Sequence, residues 1–240
     1  MNLSKDLVPI ISKKDMDIEA AKFLEKYCPA ALEKPMPIPV EDIAEFKMGL
    51  EIDYANLDKN CDTLGMVLFS NGMVELYDKE TKKYFKRPYE KGTILVENDL
   101  VELDNKGRER FTIAHELVHW DKHQLRFMTL SYQDKTLAKA CRCPSEKVHR
   151  PKKPDEWVEW QADNLAAAIL MPAEMFRLKA EEIKNKYRGR VGTKINEFMW
   201  KGFSPGMIAE FITDELADFF QVSKQAAGIR IQTLGINLPK

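Results

Sequence analysis

The chain moves between two hydrophobic rhythms, of helical period towards both ends and of strand period between them. Within residues 12–27, Ile18, Ala21, Leu24 and Tyr27 form one stripe, and Ser12 with Asp15 has capping-box spacing. That predicts a first helix, closed by Pro29. Prolines at 35, 37 and 39 bias their predecessors away from α conformation and make an extended connector. A short helix over 40–48 follows, with Gly49 as its stop. The period then shortens. Residues 64–69, 73–77, 82–86 and 93–96 are β-prone runs, and Ser70-Asn71-Gly72 and residues 78–81 punctuate them like hairpin turns. They predict a small, largely antiparallel sheet.

Helical period returns at 111–124, where Ile113, Ala114, Leu117 and Val118 recur with no Gly or Pro between them. Residues 126–154 read as a long irregular stretch. An Ala-rich helix is expected within 155–171, and another starts at Pro172 and stops at Gly189. Residues 214–235 read as helix, turn at 221–223 and helix, with Ser223 as N-cap. The fold class is α+β. Three parts are expected: an N-terminal helical segment (1–35), a central domain (36–202) and a helix-turn-helix-like module (203–240).

Composition narrows the function classes. Charged residues are 31% and the net charge is -1, so no global field gathers nucleic acid or anionic membrane. No apolar run approaches the ~20 residues that span a bilayer, and the N-terminal stretch lacks a signal-peptide core. The four cysteines, at 28, 61, 141 and 143, do not resemble a disulfide framework, so the cytoplasm is the expected address. The C-terminal module has the shape of a DNA reader, but Asp214, Glu215 and Asp218 face only Lys224 and Arg230 as cations. DNA affinity rests mainly on phosphate neutralisation, so packing or partner docking is expected there in place of DNA binding.

The chemistry begins at His115-Glu116-x-x-His119. Helix positions four apart stand on one face, so both imidazoles can reach one zinc ion, while Glu116 can address a metal-bound water as general base. The longer metzincin pattern fails at Lys122 and Leu125, so a third ligand must come from elsewhere. His123 lies about 12 Å along the helix axis from His115. It reads as a surface residue or as one standing behind a ligand. Glu159 and Asp163, again four apart, can supply one carboxylate for the metal and a second to fix an imidazole. Glu156 is the rival ligand. Three visible ligands favour an open, catalytic zinc site over a closed structural one.

The stretch 126–154 carries Lys135, Lys139, Arg142, Lys147, Arg150, Lys152 and Lys153. It is a solvated loop or a strip for an acidic peptide. Cys141, Cys143 and His149 form an irregularly spaced second donor group, and Tyr132 and His149 are candidates for stabilising an oxyanion.

Arg110-Phe-Thr-Ile-Ala-His-Glu-Leu-Val-His119, Glu159-x-x-Ala162-Asp163 and Leu165-Ala-Ala-Ala-Ile-Leu-Met-Pro172 together resemble the ImmA/IrrE family of zinc metallopeptidases. The similarity runs over about 36–176; Val118 stands where the family often has Gly. The resemblance implies a zincin-like core, zinc on His115, His119 and Glu159, and Glu116 as catalytic base, with Asp163 in the small polar position after the alanine. It further implies site-specific cleavage of a helix-turn-helix repressor of mobile elements or stress regulons. The alternative is a non-catalytic, zinc-stabilised regulator that binds DNA or a repressor through its C-terminal module.

Overall fold

The computed structural model describes residues 2–102, 105–133, 140–144, 151–188 and 205–238. A turn of 3-10 helix at Lys13–Asp15 leads into α1 (Met16–Tyr27). The Ser12 amide and hydroxyl both donate to Asp15 Oδ2, at 3.3 and 2.6 Å, as the capping-box spacing requires. The buried stripe of α1 is displaced from expectation. Ile18 is 55% exposed, whereas Met16, Ala20, Phe23 and Leu24 are buried. After α2 (Ala30–Glu33), α3 starts at Val40–Asp42 and widens into a π turn at Ile43–Lys47. Gly49, at φ +66°, ends it as expected, since only glycine takes this left-handed conformation without strain.

The strands are β1 (Glu51–Ala55), β2 (Thr63–Leu68), β3 (Gly72–Asp78), β4 (Lys83–Tyr89) and β5 (Thr93–Glu97). Then come α4 (Asp99–Glu102), α5 (Lys106–Val118), a π turn at His119–His123 and α6 (Gln124–Gln133). Next are β6 (Ala140–Pro144), α7 (Pro154–Leu170), α8 (Ala173–Arg188), α9 (Pro205–Phe220) and α10 (Lys224–Thr233).

The expected single sheet is two. One has the order β1-β5-β2-β6, with β1 parallel to β5 and the other pairs antiparallel; the other is the β3-β4 hairpin. Residues 78–81 do turn that hairpin, but Ser70-Asn71-Gly72 carries the chain from one sheet to the other. The stretch after the motif helix is not uniformly irregular, because α6 runs on to Gln133 and β6 pairs with β2. Lys135, Lys139, Lys147, His149 and Arg150, and the side chains of Tyr132, Cys141, Arg142 and Cys143, lie outside the described residues.

Contacts group the chain into two compact units, 1–19 with 39–166 and 20–38 with 167–240. In the second, Phe176 packs on Phe220 with ring centroids 5.1 Å apart, and Arg230 Nε donates to the Met171 carbonyl at 2.9 Å. The expected C-terminal turn is present: Ser223 Oγ accepts from the Ala226 amide at 3.1 Å. α9 starts earlier than expected, at Pro205.

The first unit is built on β2 and β5, whose Met66, Val67, Leu68, Ile94, Leu95 and Val96 are all 1% exposed or less. Phe69, just past β2, stacks on Phe127 at 4.8 Å and on Trp120 at 5.5 Å, which fastens the sheet to α6 and the π turn. Gly65 sets the spacing between the sheet and α5. A Cβ there would stand 2.4 Å from Thr112 Cγ2, 3.3 Å from the Leu95 carbonyl oxygen and 3.4 Å from Glu116 Oε1. Gly65→Ala is therefore expected to cost about 1–3 kcal/mol by overpacking. Urea unfolding checks this, and adding Thr112→Ser, which removes the clashing methyl, should recover part of the loss.

Candidate metal centre

α5 brings His115 and Glu116 into the interior and the following π turn adds His119 and His123; all four are fully buried. α5 is capped by Asn105, whose side chain accepts from the Arg108 amide. Its flank is tied by Arg110 to Glu41 at 3.3 Å and by Glu109 to the Tyr54 hydroxyl at 2.6 Å. α7 lays Glu159 and Asp163 against the histidines from the other side. Glu156, the rival ligand, is engaged elsewhere: its Oε2 accepts from the Lys152 and Lys153 amides at 2.7 and 3.2 Å, at the start of α7.

The donor atoms of His115, His119 and Glu159 lie within 4.8 Å of one another. His115 Nε2 is 2.8 Å from His119 Nε2 and 3.1 Å from Glu159 Oε2, and His119 Nε2 is 3.6 Å from Glu159 Oε1. Behind them, His115 Nδ1 is 3.2 Å from Asp163 Oδ1, and His119 Nδ1 is 3.0 Å from His123 Nδ1. His123 Nε2 in turn is 3.0 Å from Gln161 Oε1, and Gln161 Nε2 donates to the Pro9 carbonyl at 2.7 Å.

Proton positions follow from the far end of this chain of bonds. A proline carbonyl can only accept, so the Gln161 amide nitrogen faces Pro9 and its oxygen faces His123. His123 Nε2 must then carry a proton. Burial, reinforced by His119, pushes His123 down to about 3, so the ring is neutral and its Nδ1 is an acceptor. His119 Nδ1 donates to it, which leaves His119 Nε2 bare. The Asp163 carboxylate faces His115 Nδ1 at 3.2 Å, and His115 Nε2 is turned towards His119 and Glu159.

The His115 and His119 Nε2 atoms and the Glu159 carboxylate therefore converge on one point, an arrangement that a bound cation relieves. Ligand atoms tetrahedrally placed at 2.0–2.1 Å from one zinc are about 3.3 Å apart. The three measured separations bracket that value, so the donor set fits zinc.

Of the residues expected from the sequence, His115, His119 and Glu159 meet at one point, Asp163 stands behind His115, and Glu116 lies under Gly65. Of the two readings of His123, at the surface or behind a ligand, the structure has the second; Gln161, Pro9 and Gly65 attracted no notice. The signal for His123 was its place on the same four-residue spacing as the two motif histidines.

These groups define a candidate metallohydrolase centre. The chain matches the IrrE N-terminal-like domain family, Peptidase_M78, over residues 73–232 and belongs to that family. A Mycobacterium tuberculosis transcriptional regulator is similar in structure, with 14% identity and a TM-score of 0.44; the match covers 91% of this chain and 46% of the regulator's. No curated protein matches the sequence. Among the described residues no helix is long and apolar enough to cross a membrane.

A second group of donors, Cys61, Glu97 and Asp99, also lies within 4.8 Å. Its atoms are already used within the fold. The Cys61 thiol donates to Asp99 Oδ2 at 3.0 Å, Lys79 pairs with Asp99, and Glu97 Oε2 accepts from the Leu57 amide at 2.7 Å. Burial, then the Asp99 hydrogen bond, pushes the Cys61 thiol up to about 12. At pH 8 the thiol is protonated, so iodoacetamide should modify Cys61 on the order of 100-fold more slowly than a free cysteine. Peptide mapping reads this, and Asp99→Asn should speed the reaction.

Proposed function

We propose that this chain is a zinc-dependent endopeptidase with a zincin-like core. In this reading His115, His119 and Glu159 hold the ion, Asp163 orients His115, and Glu116 is the catalytic base. The observation that carries it is the convergence of two buried imidazole nitrogens and one part-buried carboxylate, their donor atoms all within 4.8 Å of one another. Membership of a peptidase family that is zinc-dependent in general supports it. Zinc held there supplies Lewis-acid chemistry, lowering the pKa of a water and polarising a carbonyl.

The remaining roles fall to the chain's own groups. Glu116 takes the proton from the attacking water and passes it to the leaving amine nitrogen. Gly65 and Thr112 pack over Glu116 and keep bulk water from its carboxylate. β6 closes the four-stranded sheet, and its outer edge can bind an extended peptide by strand addition.

The substrate proposed is a helix-turn-helix repressor of a mobile element or stress regulon, cut once within an acidic linker, in the cytoplasm. The family resemblance supplies the substrate class, and the cations of residues 135–153 supply the charge preference. The C-terminal module adds a contact remote from the cut and does not read DNA.

Purified protein should contain about one zinc per chain. His115→Ala, His119→Ala and Glu159→Ala should lose it, whereas Glu156→Ala keeps it, all read by metal analysis. Glu116→Gln should retain zinc and fold while peptide hydrolysis falls by two or more orders of magnitude. With a repressor encoded beside this gene and casein as paired substrates, one discrete repressor cut and little casein loss support the proposal. Broad casein digestion without preference would leave a general peptidase, and zinc binding without any cleavage would favour the non-catalytic regulator.

A further inference from the structure

The hydrogen-bond path behind His119 does not stop at a neighbouring side chain, whereas behind His115 only Asp163 stands, 3.2 Å from Nδ1. It continues through His123 and Gln161 to the main chain at Pro9, with contacts of 3.0, 3.0 and 2.7 Å. Each member is buried: His119 and His123 are 0% exposed and Gln161 is 2% exposed. The Pro9 carbonyl can only accept, so Gln161 Nε2 donates to it and His123 Nε2 donates to Gln161 Oε1, which leaves His123 Nδ1 facing His119 Nδ1.

The segment that supplies this carbonyl is itself held in place. Ser4 Oγ accepts from the Asp6 and Val8 amides, at 3.2 Å each, and Leu7 turns the chain at φ +60°. The Ser4 amide donates to the Val8 carbonyl at 2.8 Å, and the Ile10 amide to the Asn2 carbonyl at 2.9 Å. Arg126, on α6, clamps the turn from outside: Nη1 donates to the Asp6 carbonyl and Nη2 to Asp155 Oδ1, both at 2.6 Å. The same arginine thus ties the N-terminal turn to the helix that follows the motif and to the helix that carries Glu159 and Gln161.

We infer that His123 and Gln161 are positioning residues for His119, and that the N-terminal turn, through the Pro9 carbonyl, is the fixed anchor that sets the tautomer and aim of this zinc ligand. The inference rests on the zinc reading given above and assigns the site a third support, separate from α5 and α7. A ring whose outer nitrogen keeps its partner is both oriented and more basic, which tightens metal binding. Loss of such a partner typically costs 10–100-fold in metal affinity.

The test is zinc affinity, measured by competition with a chromophoric chelator on the full chain, together with the visible spectrum of the Co2+-substituted protein. His123→Phe, which fills the space but cannot accept, should weaken zinc roughly 10–100-fold and change the Co2+ spectrum. His123→Gln, whose carbonyl oxygen can accept from His119, should recover most of that affinity. Gln161→Leu should weaken zinc about 10-fold, while Gln161→Glu, which keeps an acceptor towards His123, should bind more tightly than Gln161→Leu. Thermal melts of each apo-protein identify a temperature at which all are folded, and affinities are compared there.

Variants that melt earlier yet bind zinc as tightly as wild type, with unchanged Co2+ spectra, would reduce the path to packing and overturn the inference. If instead wild type binds zinc and His119→Ala does not, while His123→Phe is indistinguishable from wild type, only the positioning role fails. A wild-type protein that takes up no zinc overturns the site reading and the inference together.

Discussion

Two buried imidazole nitrogens and a part-buried carboxylate brought to within 4.8 Å of one another are the constraint on which this molecule turns. Bare imidazole nitrogens repel, and a buried carboxylate is costly unless a positive charge or donated hydrogen bonds answer it. The fold must hold these groups together against that repulsion. It does so by fixing each ring from behind, His115 on Asp163 and His119 on His123. Affinity for a cation and the strain of assembling the site are two aspects of one arrangement.

The surrounding architecture serves that fixation. A four-stranded sheet lies so close to α5 that glycine alone fits at residue 65, and Phe69 grips Trp120 and Phe127 where the helix widens into its π turn. π turns accumulate at functional sites, and this one carries both His119 and His123. The energetics divide cleanly. Apolar packing on β2 and β5 stabilises the unit, and the polar interior behind the histidines makes it specific.

Legibility in the sequence followed the range of the interactions. The motif helix, the second helix with Glu159 and Asp163, and the C-terminal turn capped by Ser223 could be read because spacing and capping are local. β1 escaped notice because Glu-Ile-Asp-Tyr-Ala has mixed polarity and is held by parallel pairing with β5, some 40 residues on. β6 escaped because Ala-Cys-Arg-Cys-Pro is short and is made a strand only by β2. Ile18 was placed on the wrong face because the stripe Met16, Ala20, Phe23, Leu24 competes with it at the same period. His123 stayed open between the surface and a place behind a ligand, because one ion cannot span three histidines along an axis and the choice depended on Gln161, 38 residues away.

The bond between Gln161 and Pro9 joins residues 152 positions apart. In folding terms, α5 and its two histidines can form from local sequence alone, but the wall behind His119 closes only when residues near position 9 meet a helix synthesised much later. Contacts of such separation carry a large loop-closure cost and form late. The candidate metal pocket is thus one of the last parts of its unit to mature, and a nascent chain displays the motif well before it owns the site.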